Sequence, residues 1–280
     1  MTKVGKKKEF TKVLFRWHKS NYREMAWRNT HDPYRILVSE IMLQQTQVER
    51  VRTKYVEFLK KFPTVRVLAS ASLGDVLRVW SGLGYNRRAK YLHECAKVVV
   101  TNHQGKFPSD MPTLMTLPGI GISTSAALMA FAFVKDEPMI DTNVRRILVR
   151  VFFRKEIPKD KALYLFAKEL IPIGKGREWN YAMLDLGATL CTARNHSADC
   201  PLQELHGKVG DFVYKKPQKK FKDSNRYYRG RILALLVTGK SSEITIRKTL
   251  HISTQQLKSL LGSLAKEKLV ILKGGSVYLP

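Results

Sequence analysis

Apolar residues recur at steps of three and four along most of this chain, and no stretch alternates apolar with polar residues long enough to make a convincing sheet. Leu37, Ile41 and Met42 begin the pattern, followed by Val48, Val51, Tyr55 and Phe58. Val76, Leu77 and Trp80 continue it, as do Leu92, Cys95 and Val99. The pattern runs from Phe10 to about His206, and proline and glycine break it into helix-sized pieces at Pro33, Pro63, Gly82–Gly84, Pro108, Pro118–Gly121, Pro138, Pro158 and Pro172. The expected fold class is therefore all-α. The most apolar run, Ala126 to Val134, is too short to span a bilayer.

The pattern changes after His206. Residues 207–226 carry Lys208, Lys215, Lys216, Lys219, Lys220, Lys222 and Arg226, and read as a basic linker, either a solvated tether or a strap across phosphates. From Tyr227 periodicity resumes. Helices are expected over Arg231–Val237, Ile244–His251 and Thr254–Lys266, with a terminal hairpin from Leu269–Leu272 and Val277–Leu279 around Gly274–Gly275. This is a winged-helix pattern, which either binds DNA or packs on another domain. The expected division is 1–206, linker 207–226, and 227–280.

Fifty Lys plus Arg against 23 Asp plus Glu leave a net charge of +27. Self-repulsion on that scale points to a polyanionic partner, foremost a nucleic acid. The start, MTKVGKKKEF, is basic but no apolar segment follows it, so a secretory signal is not expected. Three cysteines, Cys95, Cys191 and Cys200, cannot build a disulfide framework, which points to a reducing compartment, the cytoplasm or nucleoid.

Three segments carry candidate chemistry. In Leu117-Pro118-Gly119-Ile120-Gly121, two glycines stand just before the strongly helical Ser123–Val134. The turn is either a tight helix–helix connection or an anion site, where bare backbone N–H groups and a helix N-terminus face a phosphate. Asp141 stands just before another helical run and reads as an N-cap. A capped carboxylate is rigid, and its hydrogen bonds are expected to keep it ionised, which suits a group facing a developing cation. Glu40 lies among apolar residues in Val38–Gln47. It is either an exposed residue on a polar face or a partly buried one, protonated and able to act as a general acid.

Taken together, Trp27-Arg28, Asp32-Pro33-Tyr34, Val38–Val48, Gly82–Tyr85, Leu117–Gly121, Ile140–Val144 and Met183–Ala188 resemble the helix-hairpin-helix DNA glycosylase superfamily, and within it most closely the MutY family of adenine glycosylases. The resemblance implies two helical lobes, one of them discontinuous in sequence, and a target nucleotide flipped out of the duplex. It makes Glu40 the acid that protonates adenine, Asp141 the carboxylate that stabilises the sugar cation, and Asn143 a holder of the sugar–phosphate. It places Trp27, Arg28 and Asp185 on the wall of the adenine pocket. Gln44, Gln45 and Tyr85 would be wedged into the base stack, and Leu117, Gly119 and Gly121 would hold the DNA backbone. Ser123 stands where bifunctional relatives carry a Schiff-base lysine, which implies a monofunctional enzyme.

The chain also departs from this family. Most members hold a [4Fe–4S] cluster on four cysteines; here Cys191 and Cys200 match two of those places, a residue near Ser197 a third and His206 the fourth. No cluster is expected. Zinc at Cys191, His196, Cys200 and His206 is the weaker alternative, because the spacing is not a zinc signature. Residues 227–280 do not match the family's Nudix-like domain, which leaves 8-oxoguanine recognition to other residues. The leading expectation is excision of adenine mispaired with 8-oxoguanine or guanine in double-stranded DNA, by a monomer. The alternatives are a thymine or uracil glycosylase acting on G·T or G·U, and a non-catalytic DNA-binding protein. Cys95, Trp80 and Phe131 read as core, and His18, His93, His103 and His251 receive no role.

Overall fold

The computed structural model describes residues 3–153, 157–193, 199–206 and 221–280. The helices in chain order are α1 (Lys3–Asn21), α2 (Pro33–Leu43), α3 (Val48–Lys61), α4 (Val65–Ser70), α5 (Leu73–Trp80), α6 (Arg87–His103), α7 (Met111–Thr116) and α8 (Ile122–Phe131). They continue with α9 (Thr142–Leu148), α10 (Asp160–Lys168), α11 (Gly176–Thr189), α12 (Gln203–His206), α13 (Asn225–Leu236), α14 (Glu243–Leu250) and α15 (Thr254–Lys266). Three short strands, β1 (Ser241–Ser242), β2 (Ile271–Lys273) and β3 (Ser276–Tyr278), are the sheet content of the described residues. None of the described helices is long and apolar enough to cross a membrane.

The chain divides into two compact units. The first draws on the described parts of Met1–Ile36, Ser109–Met115 and Ile120–Lys216, and is discontinuous in sequence. Helices α1, α8 and α9 pack on α11. Phe10, Leu14, Ile147, Leu148, Trp179, Met183 and Leu186 form its core. Helix α8 is buried from Thr124 to Phe131, which is why its sequence is apolar on every face.

The second unit draws on Leu37–Pro108, Thr116–Gly119 and the described part of Pro217–Pro280. Helices α4 and α5 pack on α6, and Phe58, Leu68, Trp80, Leu92, Cys95 and Val99 are buried. Within the C-terminal segment α13 packs on α14 and α15, with Ile232, Leu236, Ile246, Leu260 and Leu264 inside. Strand order is β1-β3-β2, antiparallel throughout, with Val277 paired to both Ser241 and Leu272.

Two details differ from the sequence expectation. The first C-terminal helix starts at Asn225 rather than Arg231, because Ser224 caps it by accepting the Tyr227 N–H. The hairpin gains a third strand, Ser241–Ser242, whose two residues are too few for alternation to reveal. Most of the expected linker, residues 207–220, lies outside the described residues.

Candidate active site

Asp141 caps α9 in the first unit. Its Oδ1 accepts the backbone N–H groups of Asn143 at 2.8 Å and Val144 at 2.7 Å, and Oδ2 accepts the Asn143 amide at 3.3 Å. The ionisation expected from these bonds needs correction. Burial raises the pKa of Asp141, and the bonds from Val144 and Asn143 only partly oppose it, so the net shift is upward. Asn143 is itself fixed, with its Oδ1 accepting from Arg146 at 2.7 Å. A Cβ on Gly187 would lie 2.5 Å from that of Asn143, so α11 can come this close only without a side chain there.

Arg146 and Arg150 hold the end of α11 and the first residues after it. Arg146 donates to the Gly187 carbonyl at 2.8 Å and to the Cys191 carbonyl at 2.7 Å. Arg150 donates to Cys191 Sγ at 3.2 Å and to the Thr192 carbonyl at 2.9 Å. Cys191, Cys200 and His206 are buried, and burial pushes the Cys200 thiol up to about 11. His196 lies outside the described residues, as does Ser197. Among the described residues, no three His, Cys, Asp or Glu side chains are grouped as a metal requires.

The Trp27-Arg28 turn and Asp185 come together in the same unit. Asp185 is fully buried, and both its oxygens accept from the Arg28 fork at 2.7 Å. His18 Nε2 lies 3.1 Å from the same carboxylate. Burial alone would raise the Asp185 pKa, but hydrogen bonds from His18 and Arg28 outweigh it and hold the carboxyl below its ordinary range. The Arg28 guanidinium lies 5.2 Å from the Tyr22 ring and 4.4 Å from that of Tyr181. Beside it opens a cavity of about 600 Å³, lined by His18, Tyr22, Arg28, Arg177 and Tyr181 among others. Trp27 is buried. The role of His18 was not legible from the sequence: no spacing marks a histidine 167 residues from its partner.

In the second unit Glu40 is 9% exposed, on α2 between the buried Val38 and Ile41. The exposed-face alternative therefore gives way to the buried one. The following turn, Gln44–Thr46, and the turn at Leu83–Tyr85 are tied together by Arg88, which sequence reasoning missed. Its Nη1 donates to the carbonyls of Ile41, Met42 and Gln44 at 2.7, 2.9 and 2.5 Å. Its Nη2 reaches Thr46 Oγ1 at 3.0 Å and the Gly84 carbonyl at 3.2 Å. Burial lowers the Arg88 pKa to about 10, so it stays cationic at the α2 C-terminus, where carbonyls converge. Gln45 and Tyr85, at φ +57° and +47°, adopt the left-handed backbone that this clamp sustains. Replacing Arg88 with alanine is expected to destabilise the protein by about 3 kcal/mol, because several buried carbonyls lose a charged donor. Thermal unfolding of the variant measures this, and a loss below about 1 kcal/mol would refute the clamp.

In the Leu117–Gly121 segment, Gly119 has φ +78°, and a Cβ there would lie 2.7 Å from that of Tyr91. Leu117 is buried, whereas Gly119 and Gly121 are exposed. Ser123, half-buried, is in the first turn of α8.

Residues 38–172 match the model of the HhH-GPD superfamily of base excision DNA repair proteins. The chain belongs to that superfamily. It is 38% identical over 231 residues to an adenine DNA glycosylase of Mycolicibacterium smegmatis, covering 80% of this chain and 78% of the relative. It is 41% identical over 198 residues to an adenine DNA glycosylase of Mycobacterium tuberculosis, of whose length the match spans 64%. Among solved structures, a thermostable thymine-DNA glycosylase aligns with a TM-score of 0.69 at 31% identity, over 73% of this chain and 96% of its own. A DNA-trapped endonuclease III aligns with a TM-score of 0.66 at 19% identity, over 73% and 96%, and shares the fold.

Proposed function

We propose that this chain is a monofunctional DNA glycosylase of base excision repair that hydrolyses the N-glycosidic bond of adenine mispaired with 8-oxoguanine or guanine. The observation that carries the reading is Asp141, an N-capping carboxylate held by two backbone N–H groups in a chain 38% identical to an adenine DNA glycosylase. Duplex DNA is the partner, and its target nucleotide leaves the stack because the bond is unreachable inside it. Glu40 gives its proton to the adenine ring, so the base departs neutral with the bonding electron pair. The sugar is left as an oxocarbenium-like cation, which the Asp141 carboxylate stabilises until water adds and loses a proton. Asn143 holds the adjoining sugar–phosphate, and the exposed glycines 119 and 121 let the backbone N–H groups at the start of α8 approach a phosphate.

Trp27 walls the adenine pocket with Arg28. Asp185 acts there as a positioning residue, since both its oxygens hold Arg28. Gln44, Gln45 and Tyr85 form the wedge, their turns set by Arg88. Cys191 and Cys200 supply two thiols, one bonded to Arg150 and the other with its pKa pushed up to about 11. A [4Fe–4S] cluster in its usual form needs four thiolates, so these residues do not fit one. In this reading Arg146 and Arg150 hold the end of α11 and the first residues after it instead, and no metal takes part.

The similarity to a thymine-DNA glycosylase at 31% identity favours a second reading, removal of thymine or uracil opposite guanine. Single-turnover assays on A·8-oxoguanine, A·G, T·G and U·G duplexes separate the two. Excision of adenine is expected, slowed by roughly 10²-fold or more in Glu40→Gln. Ser123 has no amine for a Schiff base, so the product strand stays intact until alkali or heat is applied. Thymine or uracil release with adenine untouched refutes the adenine reading, and prompt strand scission refutes the monofunctional one.

A further inference from the structure

A groove of about 360 Å³ lies wholly within the second unit, between the start of α6 and the C-terminal end of α15. Arg87, Lys90 and Tyr91 line one side, and Ser263, Lys266 and Glu267 the other. The first turn of a helix favours acidic side chains, because its unpaired N–H groups and the macrodipole make it positive. Helix α6 has the reverse. Arg87, Arg88 and Lys90 fall at its start, no acidic residue stands in its first turn, and Asn86 makes no side-chain cap. Arg88 is engaged by the carbonyls of Ile41 and Met42. Arg87 and Lys90 line the groove instead.

The charges there do not cancel. The lining carboxylate, Glu267, accepts from Arg229 at 2.6 Å and lies 3.5 Å from Arg87 Nε. Lys90 is 3.5 Å from Glu94, four residues on. With the lysine first this is the weaker order for a helical pair, and salt screens it. Lys266 is exposed and pairs with no carboxylate among the described residues. The two hydroxyls add donors. Tyr91 Oη accepts from Arg87 at 3.2 Å and Ser263 Oγ from Arg229 at 2.5 Å, so each keeps its own proton for another acceptor. The Tyr91 ring already has the Arg87 guanidinium 5.8 Å from its centroid. Cations and O–H donors without an open ring face suit a phosphate, whereas a base uses stacking.

The neighbouring turn identifies the phosphate. A Cβ on Gly119 would lie 2.7 Å from that of Tyr91, so the glycine turn to which the glycosylase reading gives a backbone phosphate abuts the same residue. We propose that the groove between α6 and α15 takes a second phosphodiester of the duplex, close to the one at Gly119, and that the C-terminal segment thereby extends the DNA footprint without reading sequence. The proposal rests on the glycosylase reading, which makes duplex DNA the polyanion. A helix-turn-helix ordinarily sends the N-terminal residues of its second helix to base edges. Here Ser263 and Lys266, at the other end of α15, meet the backbone, a contact that positions DNA and does not specify it.

Binding of the full chain is measured over a range of salt concentrations on a duplex in which a tetrahydrofuran abasic analogue faces 8-oxoguanine. Lys266→Gln is expected to weaken binding roughly fivefold at about 0.1 M salt and to make log K against log[salt] shallower by about 0.9, the value of one phosphate contact. Lys60→Gln removes the same charge from an exposed position of α3 outside the groove and should leave the slope unchanged. Tyr91→Phe should weaken binding at an unchanged slope, because it removes a donor and no charge. Neutral methylphosphonates placed singly along each strand locate the contact. One position is expected to cost the parent affinity and to cost Lys266→Gln nothing further. The proposal is overturned by equal slope changes in Lys266→Gln and Lys60→Gln, by an unchanged slope in Lys266→Gln, by Tyr91→Phe binding like the parent, or by the absence of a position whose cost depends on Lys266. Adenine excision is followed in parallel. If it is absent while the slope responds to Lys266, the adenine reading fails and the groove assignment stands; if excision occurs and the slope does not respond, the groove assignment fails alone.

Discussion

Asp141→Asn is expected to abolish base excision while leaving the protein at least as stable as the parent. Asparagine caps a helix about as well as aspartate, so the N–H groups of Asn143 and Val144 keep an acceptor. What disappears is the negative charge that the proposed mechanism sets against the sugar cation, and single-turnover excision should fall by about 10³-fold or more. The stability side follows from linkage. Burial raises the Asp141 pKa above its ordinary value of 3.8. A carboxyl raised in the folded state favours folding below its unfolded pKa, and that contribution is lost as pH rises through the folded value. The amide has no charge for burial to disfavour, so the variant does not carry this cost at any pH. The melting temperature of the variant should match or exceed that of the parent. The same shift places the acid limb of the parent's pH–rate profile above 3.8, with activity rising as Asp141 ionises. A variant that melts several degrees lower, or keeps excision within tenfold, would contradict this account of Asp141.

The second large effect is on stability. Asp185→Asn should cost about 3–5 kcal/mol, because it leaves the buried Arg28 guanidinium without its counter-charge. For a protein of this size that lowers the melting temperature by about 10 °C. Both Asp185 oxygens bond Arg28, and His18 touches the same carboxylate, so an amide here keeps one acceptor and turns the other oxygen into a donor facing the cation. The depressed pKa of Asp185 means its contribution is present above the unfolded value of about 3.8 and is lost as pH falls through the folded one. Replacing both partners with apolar residues, as in Arg28→Met with Asp185→Leu, should recover much of the loss, since a buried ion pair is harder to break than to replace. Thermal unfolding of the parent, Asp185→Asn and the double variant tests this. A single variant within about 1 kcal/mol of the parent would remove the positioning role given to Asp185.

The parts of the fold and site that were legible in the sequence are local ones. Asp141 as an N-cap needs only the next three residues. Helix α15, Thr254–Lys266, occupies the residues its periodicity predicts, because four buried leucines recur on one face. The burial of Glu40 remained open in sequence, since an apolar neighbourhood along a helix does not say which neighbours cover it. Strand β1 escaped notice because two serines carry no alternation.

Tertiary structure decided the pairing of charges. Arg28 with Asp185, His18 with Asp185, Arg146 and Arg150 with the Cys191 loop, and Arg226 with Tyr85 join residues 41 to 167 positions apart. A surface lysine or arginine and a buried clamp are written with the same letter, and in a chain with 50 Lys and Arg the composition cannot tell them apart. By itself the sequence determined which segments are helical, where glycine must turn the backbone, and which carboxylate caps a helix. Each of those depends on interactions within about one turn of helix. The upward pKa of Asp141, the strained turns held by Arg88 and the groove between α6 and α15 depend on burial and on long-range neighbours, which exist only once the chain has folded.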